Sequence, residues 1–103
     1  MYAKGQGVPQ DYAEAVKWFR KAGDQGYDSA MPMLGISYAL GKGVRKDSVQ
    51  SYFWFSLAAS RSSGDDYKQL SESRDIAARQ LTPEKLREAQ RMTQEWEASH
   101  PRK

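Results

Sequence analysis

An all-α solenoid of antiparallel helix pairs is the fold class that this sequence predicts, and three observations predict it. The first is a repeat: "GQGVPQD" (Gly5 to Asp11) returns as "GKGVRKD" (Gly41 to Asp47) after 36 residues. The register extends past the loop, because 9 of the 21 positions from Tyr2 to Ala22 are identical 36 residues later, where ordinary composition gives about one or two. A fixed period in this range marks stacked repeat units. The second observation is helical spacing of apolar residues between the loops, with capping signals at their starts. The third is the lack of any strand pattern along the chain.

The elements follow in order. Asp11 precedes "YAEAVKWFRKAG", in which Tyr12, Ala15, Val16, Phe19 and Ala22 form one apolar stripe and Glu14, Lys17 and Lys21 lie opposite. Asp11 and Glu14 read as a capping box, and Gly23 and Gly26 as stop signals. Asp28 is expected to cap a second helix over 29–40, with Pro32 early enough that its missing N–H costs little. That segment carries no charged side chain from Ser29 through Gly41, the composition of a helix buried on more than one side. Asp47 caps a third helix that runs to about Ser60. Here Phe53 and Leu57 stand where Lys17 and Lys21 stand in the first copy, so this helix should be covered where the first is wet.

A fourth helix is expected over 66–80. Thr82 then caps a fifth, with Pro83 at the favoured first position, reaching about Ser99. Its apolar residues Leu86, Ala89, Met92 and Trp96 oppose Arg87, Glu88, Arg91 and Glu95. Met92 and Trp96 should cover Phe53 and Leu57, which makes this helix a C-terminal cap. Trp18, Phe19, Trp54 and Phe55, at helical spacing among alanines, are read as core.

Length and composition bound the function. The 103 residues make one domain. It divides into a truncated first repeat (1–26), a second repeat (27–63), a degenerate third with the capping helix (64–99) and a tail (100–103). Net charge is +3, from 16 basic and 13 acidic side chains mixed along the chain, which gives solubility without a strong field. There is no cysteine, and the single histidine, His100, falls in the tail. Disulfides, thiolate metal sites and a histidine metal cluster within one chain are therefore excluded, and no cofactor or metal is expected. No apolar run approaches the roughly 20 residues of a membrane span. The opening "MYAKGQGVPQ" lacks the apolar core of a signal peptide, so the chain reads as cytoplasmic if Met1 is the native start. A periplasmic or secreted location would require an upstream segment.

The Gly-x-Gly loops do not fit a phosphate site. A dinucleotide loop needs a third glycine where Gln10 and Lys46 stand. The other phosphate loop needs Gly-Lys followed by Ser or Thr, and Lys42 is followed by Gly43. Gly5, Gly7, Gly41 and Gly43 are therefore read as turn residues that take positive φ, and Gly35 as the place where two helices approach. No Ser-x-x-Lys occurs, and Asp65 with Asp66 is explained by helix capping, so no catalytic residue is assigned. The basic residues Arg87, Arg91, Arg102 and Lys103 are interrupted by acids, so the clustered stripe of a nucleic-acid binder is missing.

The pattern Y-x-x-G-x-G-V-x-x-D, followed by a Trp-Phe pair and Ala at fixed distances, resembles the Sel1-like repeat. So does A-x-x-x-L-G-x-x-Y, from Ala30 through Leu34 and Gly35 to Tyr38. The resemblance covers about residues 1–81, and the ending "LTPEKLREAQRMTQEWE" is similar to the closing helix of bacterial members. It implies a tetratricopeptide-like, right-handed superhelix of about two and a half repeats, acting as an adaptor for protein partners. Two departures stand out. The first helix of the first unit is reduced to Met1-Tyr2-Ala3, and the third unit keeps Leu70 at the place of Leu34 but has Arg74 where Tyr38 would fall. Disulfide-rich members of the family are linked to penicillin binding, a function that does not transfer to a chain without cysteine.

On the second helix Ala30, Leu34, Gly35 and Tyr38 define the packed side. The opposite side carries Ser29, Pro32, Ile36, Ala39 and Leu40. Adding 36 places Asp65, Lys68, Glu72, Asp75 and Ile76 on the same side of the fourth helix. The resemblance implies that this side lines a concave groove, here suited to a peptide with apolar and basic side chains. The competing reading is that these residues meet a missing neighbour or a second copy. A non-catalytic protein-interaction module is thus expected. The alternatives are an accessory domain of a cell-envelope or peptidoglycan-related enzyme and a nucleic-acid-binding repeat. A homodimer through the N-terminal unit is also expected, because Tyr12, Val16 and Phe19 lack a preceding helix.

Overall fold

The computed structural model describes residues 12–100, and among these every regular element is a helix. Five helices follow one another: α1 (Tyr12–Asp24), α2 (Ala30–Leu40), α3 (Ser48–Ser60), α4 (Gly64–Arg79) and α5 (Pro83–Ser99). The expectations placed on Gly5, Gly7, the Asp11 cap and Met1-Tyr2-Ala3 lie outside the described residues.

Capping chemistry sets most of the boundaries. The Asp47 carboxylate accepts from the Val49 and Gln50 backbone N–H groups at 3.0 and 3.2 Å, and the Thr82 hydroxyl accepts from Lys85 N–H at 3.1 Å. Each satisfies donors that the first turn leaves open. α2 ends at Gly41, whose φ of 74° lets its N–H and that of Lys42 return to the Ser37 carbonyl. The start of α2 differs from expectation. Ser29 is the N-cap and makes no side-chain cap bond. Asp28 instead pairs with Arg61, Nε to Oδ1 at 3.1 Å, a charge partner that outcompetes a local backbone donor.

α3 is the centre of the molecule. Phe53, Trp54, Phe55, Leu57, Ala58 and Ala59 are all buried, so the helix is apolar and covered around most of its circumference, with half-buried Tyr52 and Ser56 on the remaining side. It packs against α2 before it and against α4 and α5 after it. The approach to α2 is close at Gly35, where a Cβ would stand 2.9 Å from the Phe55 ring. Beside that contact the buried Ser51 hydroxyl donates to the Gly35 carbonyl at 3.1 Å. Trp54 and Leu34, members of one buried cluster, both lie against Gly23 of α1. Arg20 of α1 donates to the Tyr38 hydroxyl at 2.8 Å, tying α1 to α2.

α5 closes the C-terminal side. Met92 and Trp96 pack on the cluster that contains Phe53 and Leu57, and Ala89 is fully buried. Counting from the two caps, Asp47 and Thr82, Ala89 stands at the position that Trp54 holds in α3. A small residue there lets α5 lie close against the core. Arg61 fastens the joint. Its side chain is only 7% exposed and reaches Asp28 and Glu97, with its guanidinium 4.9 Å from the Trp96 ring centre. His100 is not free tail: it ends α5, its ring stacks on Trp96 at 3.8 Å, and its Nδ1 lies 2.9 Å from the Trp96 carbonyl.

Trp18 departs from its expected place in the core, being 63% exposed. Of the stripe expected to lack cover, Val16 is in fact buried and Phe19 packs against the core, leaving Tyr12 exposed.

Two predictions follow from this packing. Trp54→Ala should lower stability by about 3–5 kcal/mol, a large part of the roughly 5–15 kcal/mol of a domain of this size. Trp54→Phe should cost much less, because the buried indole N–H has no acceptor to lose. Thermal unfolding followed by circular dichroism checks both, and similar melting temperatures for Trp54→Ala and wild type would contradict the packing. A chain ending before Thr82 exposes Phe53 and Leu57 and should aggregate where the full chain remains soluble. Light scattering on the two chains decides that point.

Candidate functional site

The residues expected on the outer side of α2 and α4 all lie at the surface. Ser29, Ile36 and Leu40 of α2 are exposed, and Pro32 and Ala39 are half-buried. Lys68, Glu72, Asp75 and Ile76 of α4 are exposed as well, as is Asp65. Among the large apolar side chains, Leu40 is 61% and Ile76 52% exposed. Their exposure follows from helix geometry. Ala30, Leu34, Gly35 and Tyr38 are buried, and the residues opposite them on the same helix are left exposed or half-buried.

The two helices meet at one shallow cleft. It is lined by Ala39 of α2, Ser48 and Ser51 of α3, and Ser73, Ile76, Ala77 and Gln80 of α4. Of the expected residues the fold therefore brings Ala39 and Ile76 to a common cleft, and none of the others lines it. The Ser48 hydroxyl lies 3.4 Å from the Gln80 Oε1 across it. Asp75 is engaged by the neighbouring Arg74, Nε to Oδ1 at 3.2 Å, whereas Glu72 sits one turn before Ile76 on the outer face.

Several members of this surface are not singled out by the 36-residue register. Met33, 37% exposed, lies three residues before Ile36 and seven before Leu40, and the helical period carries that signal. Ser73 is the repeat counterpart of Ser37, so the register does reach it. Ser48 and Gln80 belong to the start of α3 and the C-cap of α4, and only their meeting in space places them at the cleft.

Chemically the surface offers apolar contact area with hydroxyl, amide and carboxylate groups at its edge. Among the described residues no group of three or more His, Cys, Asp or Glu side chains is placed to hold a metal ion. No helix is long and apolar enough to cross a membrane. The basic residues Arg87 and Arg91 are exposed on α5, and Arg91 pairs with Glu95 at 3.7 Å.

Comparison with known proteins agrees with this architecture. The family description "Sel1 repeat" matches residues 1–27 and 28–63. Among solved structures, the chain is similar to c5321, described as a protective antigen present in uropathogenic Escherichia coli strains and displaying an SLR fold. The TM-score is 0.77 at 35% identity, and the match covers 92% of this chain. This chain spans only 20% of the length of that protein. No curated protein matches.

Proposed function

The chain belongs to the Sel1 repeat family, whose repeats are generally protein-interaction modules, and on that footing we propose that it is a non-catalytic adaptor. Its partner is a peptide or protein segment that lies along the outer side of α2 and α4. The observation that carries this reading is the exposed apolar row of Met33, Ile36 and Leu40 on α2 and Ile76 on α4. Such contiguous apolar surface marks interaction sites in soluble proteins. The row ends at a cleft with hydroxyl and amide groups, which supply hydrogen-bond partners for a peptide backbone.

Glu72 beside the row sets the preferred chemistry. A carboxylate at the rim of an apolar strip favours lysine or arginine on the partner, through charge steering more than through affinity. The ligand class is therefore an apolar segment flanked by basic side chains. A helix laid in the groove is the mode that apolar anchors at helical spacing fit.

Fluorescence anisotropy with labelled peptides of about 15 residues, patterned to present one apolar face, tests this. Basic versions should bind, and versions with glutamate at the basic positions should not. Ile36→Glu together with Ile76→Glu should weaken binding by about tenfold or more. The melting temperature should stay within a few degrees, as for surface substitutions. Equal binding of both peptide classes, or unchanged affinity in the double variant, would reject the groove.

A further inference from the structure

The side of α3 that holds α2 has a counterpart on α1. On α3 that side carries Ser51, Trp54, Phe55 and Ala58, all buried, which share an arc of about 100°. Gly35 of α2 sits over the Phe55 ring, its carbonyl accepts from the Ser51 hydroxyl, and Leu34 joins Trp54 and Ala58 in the core. Moved back by 36 residues, the four positions are Ala15, Trp18, Phe19 and Ala22, and three of the four residues are identical. The arc on α1 is far less covered. Ala15, Phe19 and Ala22 are half-buried, and Trp18 is 63% exposed. Among the described residues α1 packs chiefly on α2, and it does so through another arc, where Val16 and Gly23 are its buried residues.

We propose that the arc of Ala15, Trp18, Phe19 and Ala22 is a docking seat for a helix of the α2 type supplied by another chain. The seat dictates the chemistry of its occupant. Phe19 stands between two alanines, so a helix can come close there only if it offers a notch. In the filled seat that notch is Gly35, where a Cβ would stand 2.9 Å from the Phe55 ring. A leucine one residue before the notch, as Leu34 precedes Gly35, lies against Trp18 as Leu34 lies with Trp54. The occupant is therefore an apolar helix with Leu-Gly facing α1, a helix-on-helix mode of recognition. One exchange distinguishes the two seats. Ala15 stands where Ser51 donates to the Gly35 carbonyl at 3.1 Å, so the seat on α1 lacks that hydrogen bond and holds its helix more weakly. This seat lies apart from the groove of α2 and α4.

A labelled peptide with the sequence of residues 27–41 is the probe, and its fluorescence anisotropy with the full chain reads binding. It should half-saturate on the order of 100 µM, as suits one small helical contact. The peptide has no tryptophan, so acrylamide quenching compared between wild type and Trp18→Phe reports the site, and Trp18 should become less accessible on binding. Gly35→Leu in the peptide should abolish binding even though leucine favours the helix, and Trp18→Arg in the protein should weaken it at least about tenfold. Ala15→Ser should tighten it about two- to tenfold, by restoring the hydroxyl donor. Ile36→Glu with Ile76→Glu in the protein should leave it unchanged, which separates this seat from the groove. Equal binding of the Gly35→Leu peptide, unchanged quenching of Trp18 at saturation, or no tightening by Ala15→Ser overturns the proposal. So does a Trp18 already shielded in the free chain, by residues 1–11 or by a second copy.

Discussion

The seating of α3 against α2 is the constraint on which the rest of the structure depends. Phe55 lies on Gly35 with no room for a side chain, and the Ser51 hydroxyl satisfies the backbone carbonyl at the same point. That contact fixes the rotation of α3, and the rotation decides what each of its other faces meets. Trp54 then reaches Leu34 and Gly23, and Phe53 and Leu57 face the side that Met92 and Trp96 close. A helix buried around most of its circumference cannot turn without losing contact on several sides at once. Apolar packing of this density specifies a single arrangement, and the polar groups follow it. Arg61 illustrates the order of cause: the end of α3 brings it between Asp28 and Glu97, and three separate elements become joined by one guanidinium.

Much of this was legible in the sequence because it is local or periodic. Asp47, Thr82 and Pro83 mark helix starts through chemistry acting within one turn. The 36-residue register carried the architecture, and the lysine-to-apolar exchanges at Phe53 and Leu57 told which helix had a neighbour on its second side. What the sequence did not disclose depends on partners distant along the chain. Asp28 has the form of a cap but serves Arg61, 33 residues away, and no local pattern separates the two roles. Trp18 shares the register of Trp54, yet burial belongs to the neighbour and not to the residue, so identical positions diverge. His100 is a local exception: it looks like tail by position, yet its ring stacks on Trp96 four residues earlier in α5.

The candidate binding surface was legible to a similar extent. Ile36 and Leu40 are found by helical period, since burying Leu34 and Tyr38 obliges the opposite residues to face outward, and Ile76 is found by adding the 36-residue register. The cleft at the end of the row is a tertiary object. It exists because the first turn of α3 passes under the last turns of α2 and α4, which places Ser48 beside Gln80. Apolar reach along the row is thus written in single helices, while hydrogen-bonding capacity at its end arises from three helices meeting.

The contacts of α3 also set an order of opening within the native state. α3 packs on three helices, α2, α4 and α5, whereas α1 packs chiefly on α2 and α5 chiefly on α3. Low separation between contacting segments favours rapid folding, and it spreads local stability unevenly. Backbone amides of α3 therefore exchange with solvent only when most of the chain opens. Those of α1, which leans on α2 and on the ring of Trp54, are released by a smaller fluctuation.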